Sequence, residues 1–178
     1  MEDSKVNWYV LFARTGTEER LAEQLNYEFT DEIGISFIPK KIAIYRRKGV
    51  KSRFEQKCFP GYVFIESAKP LEEILNRMTP IVYRQKNAYK FLHYGENKND
   101  IAMHEEERIA LSALFNAERI IDISKGYKEG DTVKIVSGAL VNREGIIQRV
   151  NVSRKEVVIA VYMFGAITSL TVGLEMIE

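Results

Sequence analysis

The period of the apolar pattern changes along the chain, and that change restricts the folds open to it. Up to residue 115, strand-like runs alternate with amphipathic helical runs; from Asp131 onward only strand-like runs are left. Alternation of this kind points to a layered α/β or α+β unit of roughly four strands with helices packed on it. Short Val-, Ile- and Thr-rich runs with turn residues between them point instead to a small barrel. A barrel of about 50 residues lies near the lower limit for independent folding.

Individual runs can be assigned. Asn7 to Arg14 is aromatic and β-branched and predicts a strand. Thr15-Gly16-Thr17 breaks it, and Glu18 and Glu19 begin a helix in which Leu21, Leu25 and Phe29 share one face. Ile35 to Pro39, Ile42 to Ile44, Val50 to Lys57 and Tyr62 to Glu66 read as extended, with Arg46-Arg47-Lys48-Gly49 as a basic turn. Pro70 opens a second helix, followed by expected short strands at Ile81 to Gln85 and Tyr89 to Leu92. His104 to Phe115 predicts a third helix, its first turn carrying Glu105, Glu106 and Glu107. Residues 117–126 read as a linker, which sets the expected domains at 1–116 and 127–178. Thr132 to Val136, Gly145 to Asn151, Val157 to Met163 and Ile167 to Leu174 are the expected barrel strands.

Composition excludes several classes. A single cysteine, Cys58, forbids an internal disulfide, and with two histidines no zinc cluster can be assembled, so no metal is expected. Cysteine usage suits a reducing cytoplasm. Met1-Glu2-Asp3-Ser4 has no apolar core, so no signal peptide is expected, and no apolar run approaches the ~20 residues of a membrane helix. The three adjacent glutamates cannot converge on one point, His93 and His104 lack triad partners, and no glycine-rich phosphate loop is present. Neither an enzyme nor a cofactor site is indicated.

Net charge is only +1, so a nucleic-acid role has to come from local clustering. Such a cluster exists: Lys40, Lys41, Arg46, Arg47, Lys48, Lys51, Arg53 and Lys57 lie in one stretch opposed only by Glu55. Phosphate contact there is weighed against a solvated charged loop. Phe59, Tyr62 and Phe64 flank a Pro-Gly bend; spacing alone favours a place in the core for these rings.

Three stretches together resemble the NusG family. These are Trp8-Tyr9-Val10 with the Thr-Gly turn after it, Lys57 to Phe64, and Gly130 to Gly138 with Glu144 to Ile147 and Val161 to Gly165. The likeness spans nearly the whole chain, in order. Leu11 to Glu19 is similar to LoaP, a specialised paralogue subgroup that antiterminates at particular operons. Gly138-Ala139-Leu140 departs from the usual Gly-Pro-Phe of the barrel. The resemblance implies an α+β chain: an N-terminal α/β sandwich on a central four-stranded antiparallel sheet, a linker, and a C-terminal SH3-like KOW β-barrel. It implies a cytoplasmic, monomeric, non-enzymatic elongation factor bound to bacterial RNA polymerase. Phe12, Phe59, Tyr62 and Phe64 would receive the polymerase clamp helices. Arg14 and Arg84 would extend the basic patch toward upstream non-template DNA. Lys134, Arg143, Arg149, Arg154 and Lys155 would meet a nascent RNA hairpin, weighed against an ordinary soluble surface. Met163, Phe164 and Gly165 would dock Rho or a ribosomal protein, with a barrel-capping role for Phe164 as the alternative.

Overall fold

The computed structural model describes residues 5–177 and forms two compact units. One holds the residues up to Ile38 together with Phe59–Arg108; the other holds Pro39–Cys58 and Ile109 onward. The Met1-Glu2-Asp3-Ser4 segment lies outside the described residues.

In the first unit, strands β1 (Asn7–Ala13), β2 (Ile35–Phe37), β5 (Tyr62–Ser67) and β6 (Ala88–Phe91) make a four-stranded sheet ordered β2-β5-β1-β6. All its pairings are antiparallel. Alternation along β1 and β5 sorts their side chains onto two faces. Tyr9, Leu11, Ala13, Val63 and Ile65 pack with Leu21, Leu25 and Phe29 of helix α1 (Glu18–Ile33). The long α1 follows from this: its apolar residues recur at helical spacing, and burying that stripe stabilises it more than propensity does. Burial also pushes the Tyr9 phenol up to about 12.

The expected strand at Ile81 to Gln85 is instead helical. Helix α2 (Leu71–Glu73) runs through a π-helical turn at Ile74–Met78 into α3 (Thr79–Tyr83). The β-branched pair Ile81-Val82 reads locally as strand, but Val82 joins Ile74 and Met78 in the core, and Pro80 sits in the first turn of α3, where a missing N–H costs little. Helix α4 (Glu105–Ser112) ends three residues before the expected Phe115.

The second unit contains a long hairpin, β3 (Lys40–Arg47) and β4 (Val50–Lys57), with β7 (Ile120–Ile121) parallel to β3. It also contains a five-stranded sheet ordered β10-β11-β12-β8-β9. These strands are β8 (Ser124–Glu129), β9 (Thr132–Ser137), β10 (Ile147–Asn151), β11 (Glu156–Met163) and β12 (Ala166–Met176). The segment expected as linker is therefore partly structured: β7 lies in it and β8 starts in it. The Asn116 side chain accepts from the Glu118 and Ile120 N–H groups and fixes the turn before β7. Val157, Ile159, Val161, Leu170, Val172 and Leu174 alternate inward as the core of this sheet. Leu140 is fully buried, and its N–H donates to Ser124 Oγ at 3.0 Å.

The hairpin seats on β12 within this unit. The Cα of Gly173 faces the Ile42 carbonyl and the Ile123 side chain so closely that a Cβ there would stand 2.9 Å from each. Lys41 Nζ donates to the Thr171 carbonyl, and Lys51 and Arg53 both reach the Glu175 carboxylate.

Candidate functional site

The first unit presents an aromatic surface with a built support. The β1–β5 register opposes Phe12 to Tyr62, Val10 to Phe64 and Trp8 to Glu66, all on the sheet face opposite α1. At one end Phe12 is 37% exposed and meets Tyr62 at 6.0 Å and Tyr89 at 5.3 Å between ring centroids. Tyr89 is half exposed, so three rings form one open surface.

Phe59 and Phe64, expected in the same cleft, are buried. They stack at 5.8 Å, and Phe64 also meets Trp8 at 5.9 Å and Phe37 at 5.5 Å. Trp8 is fixed in turn by its indole N–H, which donates to Glu66 Oε2 at 2.7 Å. These two rings thus sit in a covered cluster beside the open trio and offer a partner almost no area of their own. Tyr62 and Phe64 share a face as alternation requires, yet only Tyr62 lies at the open end. Tyr89 was missed because its strand is short and its neighbours carry no motif; a register placing β6 beside Phe12 was the missing signal.

A buried carboxylate orders the bend beneath this surface. Glu18 is fully buried and accepts from the Gly16 and Gly61 N–H groups, each at 2.7 Å. One side chain therefore ties the turn after β1 to the Phe59-Pro60-Gly61 bend. Gly61 adopts φ +86°, a conformation open to glycine at little cost. Its carbonyl accepts from the Ala13 N–H at 2.8 Å. First-turn acidity alone does not account for Glu18; the clamp does.

Arg14 and Arg84 come together. They line an open cleft of about 540 Å³ with Thr17, Arg20, Gln24 and Lys86. Arg84 pairs with Glu28 at 3.3 Å, and Arg20 and Lys86 add charge that the sequence reading did not assign. Such a concavity, with four cations and no carboxylate in its wall, suits an anionic chain.

The basic hairpin lies in the second unit. Lys48 and Gly49 both take positive φ (+50° and +82°), the geometry of a tight two-residue turn. Arg46, Arg47 and Lys48 are exposed at the tip. Lys40 pairs with Glu55 at 3.3 Å, and Lys41, Lys51 and Arg53 are held by β12. The Lys51 hydrogen bond keeps the Glu175 carboxyl below the usual carboxylate range, and Lys51 beside Lys155 pulls that ammonium down. Burial lowers Lys41, and it pushes the nearby Cys58 thiol up to about 12, away from nucleophilic chemistry.

The expected RNA contacts scatter. Lys134 is tied to Glu129 at 2.9 Å, and the Arg143 guanidinium donates through one nitrogen, Nη1, to the Ala139 and Val141 carbonyls of its own loop. Arg149 and Arg154 are exposed, while Lys155 sits near the hairpin. Met163 is buried and cannot meet a partner directly. Phe164 and Gly165 form the β11–β12 turn, both at positive φ. Tyr162 and Ile167, directly opposed beside that turn and more than half exposed, are surface residues the sequence reading passed over.

Among the described residues no group of three or more His, Cys, Asp and Glu could hold a metal ion, and no helix is long and apolar enough to cross a membrane.

Known proteins resemble this chain in sequence. A protein from Streptococcus pyogenes called "Transcription termination/antitermination protein NusG" is 29% identical over 173 residues, covering 94% of this chain and 92% of that protein. A Thermus thermophilus protein of the same name is 26% identical, covering 90% and 91%. A solved structure, "Domain interaction in Thermotoga maritima NusG", is 24% identical with TM-score 0.49, covering 95% of this chain and 94% of that one. Residues 6–112 match the family described as "Transcription termination factor nusG". Since that match covers more than half of its length, the chain belongs to the NusG family.

Proposed function

We propose that this protein is a non-enzymatic elongation factor that binds RNA polymerase through Phe12, Tyr62 and Tyr89 and promotes antitermination. The observation carrying this reading is the partly exposed Phe12–Tyr62–Tyr89 trio beside a covered aromatic cluster on the same sheet, in a member of the NusG family. Aromatic side chains on a rigid backing make efficient anchors for a partner helix, because little side-chain entropy is lost on docking. Such a factor acts by differential affinity: favouring the closed, elongating polymerase by about 1.4 kcal/mol shifts its ratio to the paused form about tenfold.

The Arg14–Arg84 cleft and the hairpin tip supply phosphate contacts that position the factor without reading sequence. Operon choice, in this reading, comes from residues 127–178 recognising a leader RNA hairpin, as the likeness of Leu11 to Glu19 to the LoaP subgroup suggests. Exposed Arg149 and Arg154 are the best-placed cations for it. The second reading is a general factor coupling polymerase to Rho or the ribosome through the Phe164-Gly165 turn. The shared name of the relatives, a termination/antitermination protein, favours it equally.

Retention of the full chain on immobilised elongation complexes tests the first claim. Phe12→Ala with Tyr62→Ala should fold as the parent does and lose retention at least tenfold; unchanged retention would sink the proposal. Gel shift with leader RNA against a scrambled hairpin separates the two readings, since selective binding supports operon specificity and equal weak binding supports the general factor.

A further inference from the structure

The hairpin β3–β4 has two unlike faces. Directly opposed residues of an antiparallel pair share a face, as do residues two apart. The register Tyr45↔Ser52, Ala43↔Phe54 and Arg47↔Val50 gathers Tyr45, Arg47, Val50 and Phe54 on one face. Arg46, Lys51 and Arg53 alternate to the other, where Lys51 and Arg53 engage Glu175. The ion pairs thus hold one face of the hairpin, while the aromatic face, whose base-end residue Lys41 bonds the Thr171 carbonyl, is open toward the tip.

On that open face Tyr45 is 52%, Val50 66% and Phe54 40% exposed. The Tyr45 and Phe54 rings lie 6.4 Å apart at 78°, edge to face, so ring faces stay open to a third planar group. Around them stand Arg47 and the tip residue Lys48. The hairpin's one carboxylate, Glu55, is engaged by Lys40. Its surroundings therefore favour an occupant that is anionic and carries flat apolar faces.

We propose that this face is a stacking platform for single-stranded nucleic acid, with bases on Tyr45 and Phe54 and phosphates on Arg47 and Lys48. The proposal rests on the reading of the hairpin as a nucleic-acid contact and adds the bases to it. A duplex hides its base faces in its own stack, whereas a single strand presents them, and every base has a π-face, so the site is tolerant of sequence. A protein helix would instead need a continuous apolar groove, and the charged residues interleaved here break one up.

Fluorescence anisotropy of the full chain tests this with three probes of equal length: labelled oligothymidylate, the corresponding abasic strand, and a duplex. The parent protein should bind oligothymidylate at least about five-fold more tightly than the abasic strand, given the usual cost of losing one stacked base. Tyr45→Ala with Phe54→Ala should erase that preference and leave abasic binding unchanged. Tyr45→Leu with Phe54→Leu, which keeps apolar area but no π-face, should erase it as well, and unaltered melting temperatures establish that the hairpin is intact. Arg47→Ala with Lys48→Ala should weaken both strands equally and flatten the salt dependence. Equal binding of the thymidylate and abasic strands by the parent overturns the platform while the phosphate reading survives. So does duplex binding as tight as single-strand binding, or an alanine pair that loses polymerase retention alone. Absence of salt-sensitive binding to any probe overturns the phosphate reading itself.

Discussion

The Phe-Pro-Gly bend of the first unit and the basic hairpin of the second both put aromatic rings in solvent, yet they are built in opposite ways. Phe12, Tyr62 and Tyr89 stand on the β5-β1-β6 part of a sheet whose other face packs on α1, beside the covered rings of Trp8, Phe59 and Phe64, and the bend beneath is tied by a buried carboxylate. Tyr45 and Phe54 stand on a two-stranded ribbon whose far strand, β4, is exposed over nearly all its length. Rigid backing lets the first surface present a fixed shape, which suits a folded partner. A ribbon with one strand exposed over nearly all its length presents charge and open rings, which suits a flexible polyanion that needs no fixed shape. Where a surface must match shape, the sequence invests core around it; where it must match charge, it does not.

Glu18→Ala should break the first half of this contrast with the largest effect. It strands two backbone N–H groups, Gly61's in a buried setting, and charge-accepting hydrogen bonds of this kind are worth about 1.5–3 kcal/mol each. A loss of about 3 kcal/mol in chemical denaturation is expected, with Glu18→Gln milder, and a loss below about 1 kcal/mol would mean that the bend is ordered by packing alone.

Gly173→Ala probes the hairpin's seat. The added methyl would meet the Ile42 carbonyl and Ile123 at 2.9 Å, and overpacking of this sort costs about 1–3 kcal/mol. Amide exchange should accelerate in β3 and β4 and leave β1 and β5 unchanged. Uniform acceleration across both units would show that the hairpin is not the locally seated element described.

Glu175→Gln sharpens the electrostatic side. Its folded pKa is lowered, chiefly by the Lys51 hydrogen bond. The stability it contributes is thus complete above the ordinary carboxylate range and fades as pH falls through the lowered folded value. Parent and variant melting temperatures should differ modestly at neutral pH, since Lys51 and Arg53 are largely solvated, and converge in acid. A difference independent of pH would assign the effect to packing. Smallest of all, Lys134→Ala removes an exposed pair with Glu129 and should leave the melting curve unmoved within error.

Much of this was legible beforehand. The periodicity of Leu21, Leu25 and Phe29 predicts α1, and the alternation of Val157, Ile159 and Val161 predicts β11, because each pattern is the imprint of a single buried face. Ile81-Val82 misleads, since a β-branched pair reads as strand until its neighbours in the core are known. The aromatic motif was legible as a motif, but the division of its rings into exposed Phe12, half-buried Tyr62 and buried Phe59 and Phe64 was not. Spacing gives the face of a strand and says nothing of how far along that face the cover extends.

By itself, the chain's residue order determined the helix-and-strand alternation, the all-strand ending, the Lys48-Gly49 turn and the concentration of cations beside it. These follow from short-range rules of backbone conformation, period and charge. Only the tertiary structure decided that Glu18 clamps the turn at Gly16 to the bend at Gly61, 43 residues beyond Glu18 itself, that Tyr89 joins Phe12, and that Glu175 holds one face of the hairpin while the aromatic face stays open toward the tip. Those outcomes depend on which distant segments register against each other, and pairing across the chain is set by the summed burial of whole faces, a quantity no local stretch contains.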